Sequence, residues 1–196
     1  MNKSRNKLVV TATMAGLSAL LLMSVPQGAS ADDPGVRAQL RDASGVLVGA
    51  MRLNEEGGRV LIRGAITNLN PGFHGFHVHT TGACSSNFLS AGGHYNPGAT
   101  THGAHAGDLP SILVNSDRTA KLSFTTDSFT IAQLLAGDGS AFIVHANKDN
   151  FANIPATTVS GAERYHSHTE NVFGPDSATR ATGDAGSRVA CGVIES

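Results

Sequence analysis

The sequence predicts an all-β domain, an antiparallel sandwich or barrel, and three observations carry that expectation. Apolar and polar residues alternate in short runs. Glycine is abundant, at 23 residues, and clusters with polar residues between those runs. No long run has the three-to-four-residue spacing of a helix face. Alternation with period two lets a strand bury one face, and many short strands separated by turns pack as antiparallel sheets.

The chain opens on a secretory pattern. Lys3, Arg5 and Lys7 precede a mostly apolar stretch with Leu20, Leu21, Leu22 and Met23 at its centre, and Ala29-Ser30-Ala31 has the small residues of a cleavage site. Residues 1–31 are therefore expected to be a signal peptide, cut after Ala31, and residues 32–196 a single secreted domain. Thr11, Thr13 and Ser18 interrupt the apolar stretch, which argues against a membrane anchor, and no cysteine follows the cut for lipid attachment. The mature 165 residues suffice for one core. Setting aside three basic residues and no acidic ones leaves 11 basic against 15 acidic, a net charge of −4 with histidine neutral. Nothing in this charge suggests nucleic-acid binding, which wants a basic face.

Strands are expected where alternation is clearest. Val36, Ala38 and Leu40 form the first, and Val60, Ile62, Gly64 and Ile66 alternate with Leu61, Arg63, Ala65 and Thr67 in the second. Residues 112–114 and 120–126 flank a turn at 115–118. Residues 130–135 read as one short helix, and residues 141–145 and 189–194 as further strands. Residues 84–110 and 146–187 resist a strand reading. Loops this long in a compact domain usually carry function, and both start just after histidine-bearing runs.

Six of the nine histidines sit at spacings that suit a metal site: His77, His79, His94, His102, His105 and His145. Residues two apart on a strand share a face, so His77 and His79 can point their rings the same way, with Phe76 and Val78 turned to the core. Imidazole is a common ligand of copper and zinc, which makes a metal centre the reading of the cluster. Cys84 and Cys191 are the only cysteines, and in an exported protein a disulfide is expected.

Four motifs sharpen this. They are His74-Gly75-Phe76-His77-Val78-His79 with Thr80-Thr81-Gly82-Ala83-Cys84 behind it, Ser90-Ala91-Gly92-Gly93-His94-Tyr95-Asn96-Pro97, His105-Ala106-Gly107-Asp108, and Gly183-Asp184-Ala185-Gly186-Ser187-Arg188-Val189-Ala190-Cys191-Gly192-Val193-Ile194. In these motifs, and over about Val36 to Ile194, the chain resembles the copper/zinc superoxide dismutases in their exported bacterial form. The resemblance implies a Greek-key β-sandwich or barrel with two long functional loops. It places copper on His77, His79, His94 and His145, and zinc on His94, His102, His105 and Asp108, so that His94 bridges both ions. It implies that Asp149 links His77 to His102, that Arg188 guides the anionic substrate with Thr182 on the other wall of the channel, and that Cys84 pairs with Cys191. His74 matches a structural residue, and His166 and His168 match nothing.

The implied activity converts superoxide to dioxygen and hydrogen peroxide by alternating Cu(II) and Cu(I), His94 exchanging a proton, with zinc as structural partner. A copper carrier on the same scaffold, and a copper-only dismutase, are the alternatives. Two features depart from the family. Only two residues separate His102 from His105, where the family has a longer loop, so a tight turn must bring both rings together. The segment after His145 is longer than in eukaryotic members, leaving Lys148, Arg164 and Arg180 as candidate steering cations. The oligomeric state, a homodimer among the options, stays open.

Overall fold

The computed structural model describes residues 35–196; the expected signal peptide lies outside the described residues. Among the described residues there are eleven strands and two short α-helices: β1 Val36–Arg41, β2 Leu47–Glu56, β3 Arg59–Thr67, β4 Gly72–His74, β5 Phe76–His79, β6 Ile112–Val114, β7 Thr119–Thr126, α1 Ile131–Leu135, β8 Ala141–His145, β9 His166–Ser167, β10 Val172–Phe173, α2 Ser177–Thr182 and β11 Arg188–Val193. Seven strands form one antiparallel sheet in the order β5-β8-β11-β1-β2-β3-β7. The chain leaves β3 for the far edge at β5, and leaves β7 for β8, skipping neighbours as Greek-key connections do.

A second pair, β4 with β6, brings the two edges towards each other. β4 is separated from edge strand β5 only by Gly75, and β6 runs through one turn into the opposite edge, β7. The sheet therefore curls into a half-barrel. Leu40, Met51, Ile62, Ile66, Phe76 and Phe142 are fully buried inside it. Phe76 and Phe142 stack at 5.1 Å between β5 and β8, a contact worth about 0.5–1.5 kcal/mol beyond its buried area. Strand β8 is buried on both faces: Phe142 and Val144 enter the main core, while Ala141 and Ile143 join a smaller cluster with Phe88, Ala91 and Cys191.

Helix α1 begins where expected, because Thr130 and Gln133 form a reciprocal capping box. Strand β2 is an addition to the sequence reading. Its buried residues Val48, Met51 and Leu53 change phase, because a bulge against Leu40 and Arg41 inserts an extra residue. The segment 146–187 is also more ordered than expected, holding the β9–β10 hairpin and α2. Asp176 caps α2 by accepting from Thr179 N, and Gly183 ends it in the left-handed region at φ 62°. Six helical residues are too few to display a period. Among the described residues no helix is long and apolar enough to cross a membrane.

Candidate metal centre

Strand β5 supplies His77 and His79, and β8 ends on His145 beside them. The loop after β5 folds back over the strand. Single β-bridges join His79 to His94 and His77 to Asp108, so the loop's donors are held by backbone pairing to the strand that carries the first two. All six histidines are buried. Donor atoms of His77, His79, His94 and His145 lie within 4.8 Å of one another, as do those of His77, His94, His102 and Asp108.

Three of the rings have one nitrogen anchored and the other free. His77 Nε2 donates to Asp149 Oδ2 at 2.8 Å, His79 Nδ1 to the Gly92 carbonyl at 2.9 Å, and His145 Nδ1 to the Gly186 carbonyl at 3.0 Å. These bonds fix each tautomer and leave the opposite nitrogen as a lone-pair donor. The freed atoms, His77 Nδ1, His79 Nε2, His94 Nε2 and His145 Nε2, are buried without a hydrogen-bond partner. Buried polar atoms are rarely left unpaired, since each costs about 1–3 kcal/mol. Four such nitrogens converging on one point fit a tetragonal copper(II).

The other face of His94 belongs to a second set. Asp108 Oδ1 lies 3.0, 3.2 and 3.3 Å from Nδ1 of His94, His102 and His105, and the Nδ1 atoms of His94 and His105 are 3.4 Å apart. His102 Nδ1, although close to Asp108, lies outside hydrogen-bonding geometry and is left unpartnered. Zinc bonds of about 2.0–2.1 Å in a tetrahedron give edges of about 3.3 Å, which these donors match. His77 also falls within reach of this group, but its Nε2 is held by Asp149, so His105 is the better fourth donor. The tight turn between His102 and His105 is closed by Asp108, whose Oδ2 accepts from Gly103 N at 2.7 Å and His105 N at 3.0 Å.

Asp149 joins the two halves. Its Oδ1 accepts from His102 Nε2 at 2.8 Å while its Oδ2 accepts from His77 Nε2 at 2.8 Å. Burial would raise the Asp149 carboxyl, but the hydrogen bonds from His102 and His77 hold it well below the usual carboxylate range. Asp108 is likewise depressed, against its burial, by His102 and His94. Burial opposes a charge on His102 too, yet the carboxylates of Asp108 and Asp149 push it up to about 9. His77, His79 and His145 go the other way: burial pushes them down to about 4, 2 and 3.

Arg188 opens β11, paired in register with His145. Its guanidinium donates to the carbonyls of Phe88 and Gly92, and its charge disfavours protonation of His79 and His145. Gly92 thus fixes a copper-side ring and the arginine with one carbonyl. The Cys84–Cys191 disulfide ties that loop to β11 across 107 residues. Thr182 ends α2, with its hydroxyl bonded back to the Ala178 carbonyl at 3.1 Å. Arg180 bonds to Pro175 O and Arg164 lies over Tyr165. His74 is buried, with its ring nitrogens facing the carbonyls of His145 and Asn70. His166 and His168 lie in the β9–β10 hairpin and beside it, their rings 5.0 Å apart and tilted by 41°.

Sequence reasoning missed Gly183. A Cβ there would sit 1.9 Å from Asp149 Oδ1 and 2.4 Å from His102 Nε2, so a side chain would wedge apart the bond that joins them. It stood only as the first residue of the last motif, since the six-residue helix before it is too short to read from the sequence. The anchoring carbonyls of Gly92 and Gly186 left no signal, because any residue supplies a carbonyl.

Comparison with known proteins agrees with the geometry. The family model described as copper/zinc superoxide dismutase matches residues 47–194. A copper-zinc superoxide dismutase of Mycolicibacterium paratuberculosis is 40% identical over 182 residues, covering 86% of this chain and 77% of the relative. Those of Mycobacterium bovis and Mycobacterium tuberculosis are 47% identical over 142 residues, covering 67% of this chain and 56%, about half, of each relative. Among solved structures, a double mutant of a SOD-like protein from Bacillus subtilis is similar at TM-score 0.62 and 28% identity, covering 82% of this chain and 97% of that one. The clock protein EA4 is similar at TM-score 0.61 and 29% identity, covering 81% and 92%.

Proposed function

Because the chain belongs to the copper/zinc superoxide dismutase family, we propose that it converts two superoxide anions and two protons into dioxygen and hydrogen peroxide. His77, His79, His94 and His145 would hold copper, and His94, His102, His105 and Asp108 would hold zinc. The observation that carries this reading is the set of buried, unpartnered ring nitrogens, with His94 turning one nitrogen to each set. When bound, copper supplies one-electron redox chemistry and zinc supplies geometry without redox chemistry.

The chain's own residues do the rest. Asp149 holds the His77 and His102 rings at fixed angles to each other. His94 Nε2 is the site where a proton is held and passed to the reduced substrate, while Nδ1 stays beside Asp108. Arg188 presents a guanidinium whose position is set by two carbonyls, leaving further N–H groups to meet an anion. A copper carrier needs no such cation, and a copper-only enzyme needs no four-donor zinc cage. Thr182 narrows the approach as the end of α2.

Residues 1–31 support export with cleavage after Ala31. An oxidising compartment would also suit the disulfide. N-terminal sequencing of protein from the culture medium should begin at Asp32; retention of the uncut chain in the cytoplasm would overturn export. For the activity, the mature domain loaded with copper and zinc should consume superoxide from a steady enzymatic source, and removal of copper should abolish it. A folded, copper-loaded protein no faster than buffer would overturn the function.

A further inference from the structure

A pocket of about 490 Å³ opens on the zinc-side cage. Asn96, Pro97, Thr100 and Ser128 line it together with His105 and Asp108. Two of the four proposed zinc donors therefore face a pocket, while His94 and His102 do not line it. Only two residues separate His102 from His105, so the turn between them is short.

The donors are also unevenly held. His102 is anchored through Nε2 by Asp149, and Asp108 through Oδ2 by the amides of Gly103 and His105. Among the described residues, the His105 ring makes its close polar contacts through Nδ1 alone. Outer partners orient metal-binding imidazoles, and losing one typically costs about 10–100-fold in affinity. Among the donors that belong to zinc alone, His105 is thus the one least constrained by its surroundings, and it stands in the wall of the pocket. On the copper side the contrast is clear, since His77, His79 and His145 each have an anchored second nitrogen.

We infer that this pocket is a zinc port: small chelating anions with oxygen and nitrogen donors enter it, His105 swings aside first, and zinc exchanges while the copper donors stay in place. Zinc has no d-electron geometric preference and passes through five-coordination in catalytic sites, so an incoming donor would bind before His105 has left. The inference rests on the zinc assignment above.

Pyridine-2,6-dicarboxylate is a suitable small probe. Protein loaded with copper and zinc would be mixed with it, released zinc quantified after rapid desalting, and the copper visible absorption followed in parallel. The zinc-loss rate should rise in proportion to the probe concentration while the copper absorption holds. Ser128, exposed on the pocket rim, is outside both donor sets. Ser128→Trp should fill the pocket and slow zinc loss about tenfold, an added barrier of about 1.4 kcal/mol. The concentration dependence in wild-type protein tests the port even if that variant fails to fold. A rate independent of probe, an unchanged rate in folded Ser128→Trp, or copper and zinc leaving together would overturn the port. Failure to retain any zinc after loading would overturn the zinc assignment as well.

Discussion

A histidine ring has two nitrogens, and in this centre the partner of one decides the use of the other. The residue types are legible in the sequence through His77-x-His79 and His105-x-x-Asp108. The orienting partners are largely not, because Gly92 and Gly186 act through carbonyls. The anchoring predicts separable losses. His102→Ala should lower zinc retention more than copper retention, and His145→Ala should do the reverse. Asp149→Ala should weaken zinc binding about 10–100-fold through loss of ring orientation. Elemental analysis after dialysis against a chelator checks all three, and equal zinc in His102→Ala and wild type would remove that residue from the zinc site. Metal-free protein should also show a pH signature. Unfolded histidine titrates near 6.5, whereas burial holds His77, His79 and His145 at about 4, 2 and 3. Below pH 6.5 the unfolded chain therefore binds protons that the folded chain refuses. Stability is complete above that pH and falls as pH drops towards the folded values, by up to about 4 kcal/mol per pH unit for three sites. His102 acts oppositely: its raised value of about 9 adds stability below pH 6.5 that is lost as pH climbs through 9. The depressed carboxyls of Asp108 and Asp149 matter only in more acidic solution. Urea midpoints of chelator-stripped protein should peak near pH 6.5, with the steeper limb on the acid side. A midpoint that rises steadily from pH 5 to pH 9 would contradict this.

At the scale of elements, alternation reveals a strand only while its phase holds. It does so in β1, β3 and β7, and in β8 a short apolar run ending in histidine sufficed. It fails in β2, where the bulge shifts the buried residues by one. It fails again across 146–187, where two-residue strands and a six-residue helix are too short to carry a pattern. The disulfide compensates for what irregular elements cannot hold. Cys84 and Cys191 lie 5.7 Å apart between Cα atoms and join the 80–110 loop to β11. Closing a loop of about a hundred residues removes about 4–5 kcal/mol of unfolded-chain entropy in the chain-entropy model. The same loop supplies the two carbonyls that hold Arg188. Cys84→Ser with Cys191→Ser should therefore lower the unfolding midpoint and also slow superoxide consumption with copper still bound. Calorimetry and a superoxide assay on metal-loaded protein check the two effects. Lost stability with undiminished activity would show that Arg188 keeps its place without the tie.

At the scale of the whole molecule, charge works against the proposed substrate, because residues 32–196 carry −4 with histidine neutral and superoxide is an anion. Attraction must come from the local field. Two bound divalent ions would outweigh the charges of Asp108, Asp149 and a bridging His94 imidazolate, and Arg188 adds a fixed cation beside His79 and His145. A positive cleft in low-dielectric walls concentrates field lines and can raise association rates about 10- to 1,000-fold. Salt weakens such focusing, since the Debye length shrinks to about 10 Å at 0.1 M. The rate should therefore fall as ionic strength rises. Arg188→Glu should slow the enzyme by about tenfold or more at low salt, and should flatten or invert the salt dependence. Its copper content should not change, because no ring nitrogen of the copper set bonds to Arg188. Initial rates across an ionic-strength series, with copper measured in the same samples, decide the matter. A wild-type rate that climbs with salt would mean that the molecule's net charge overrides the cleft. An unchanged rate in copper-replete Arg188→Glu at low salt would take the guiding role away from Arg188.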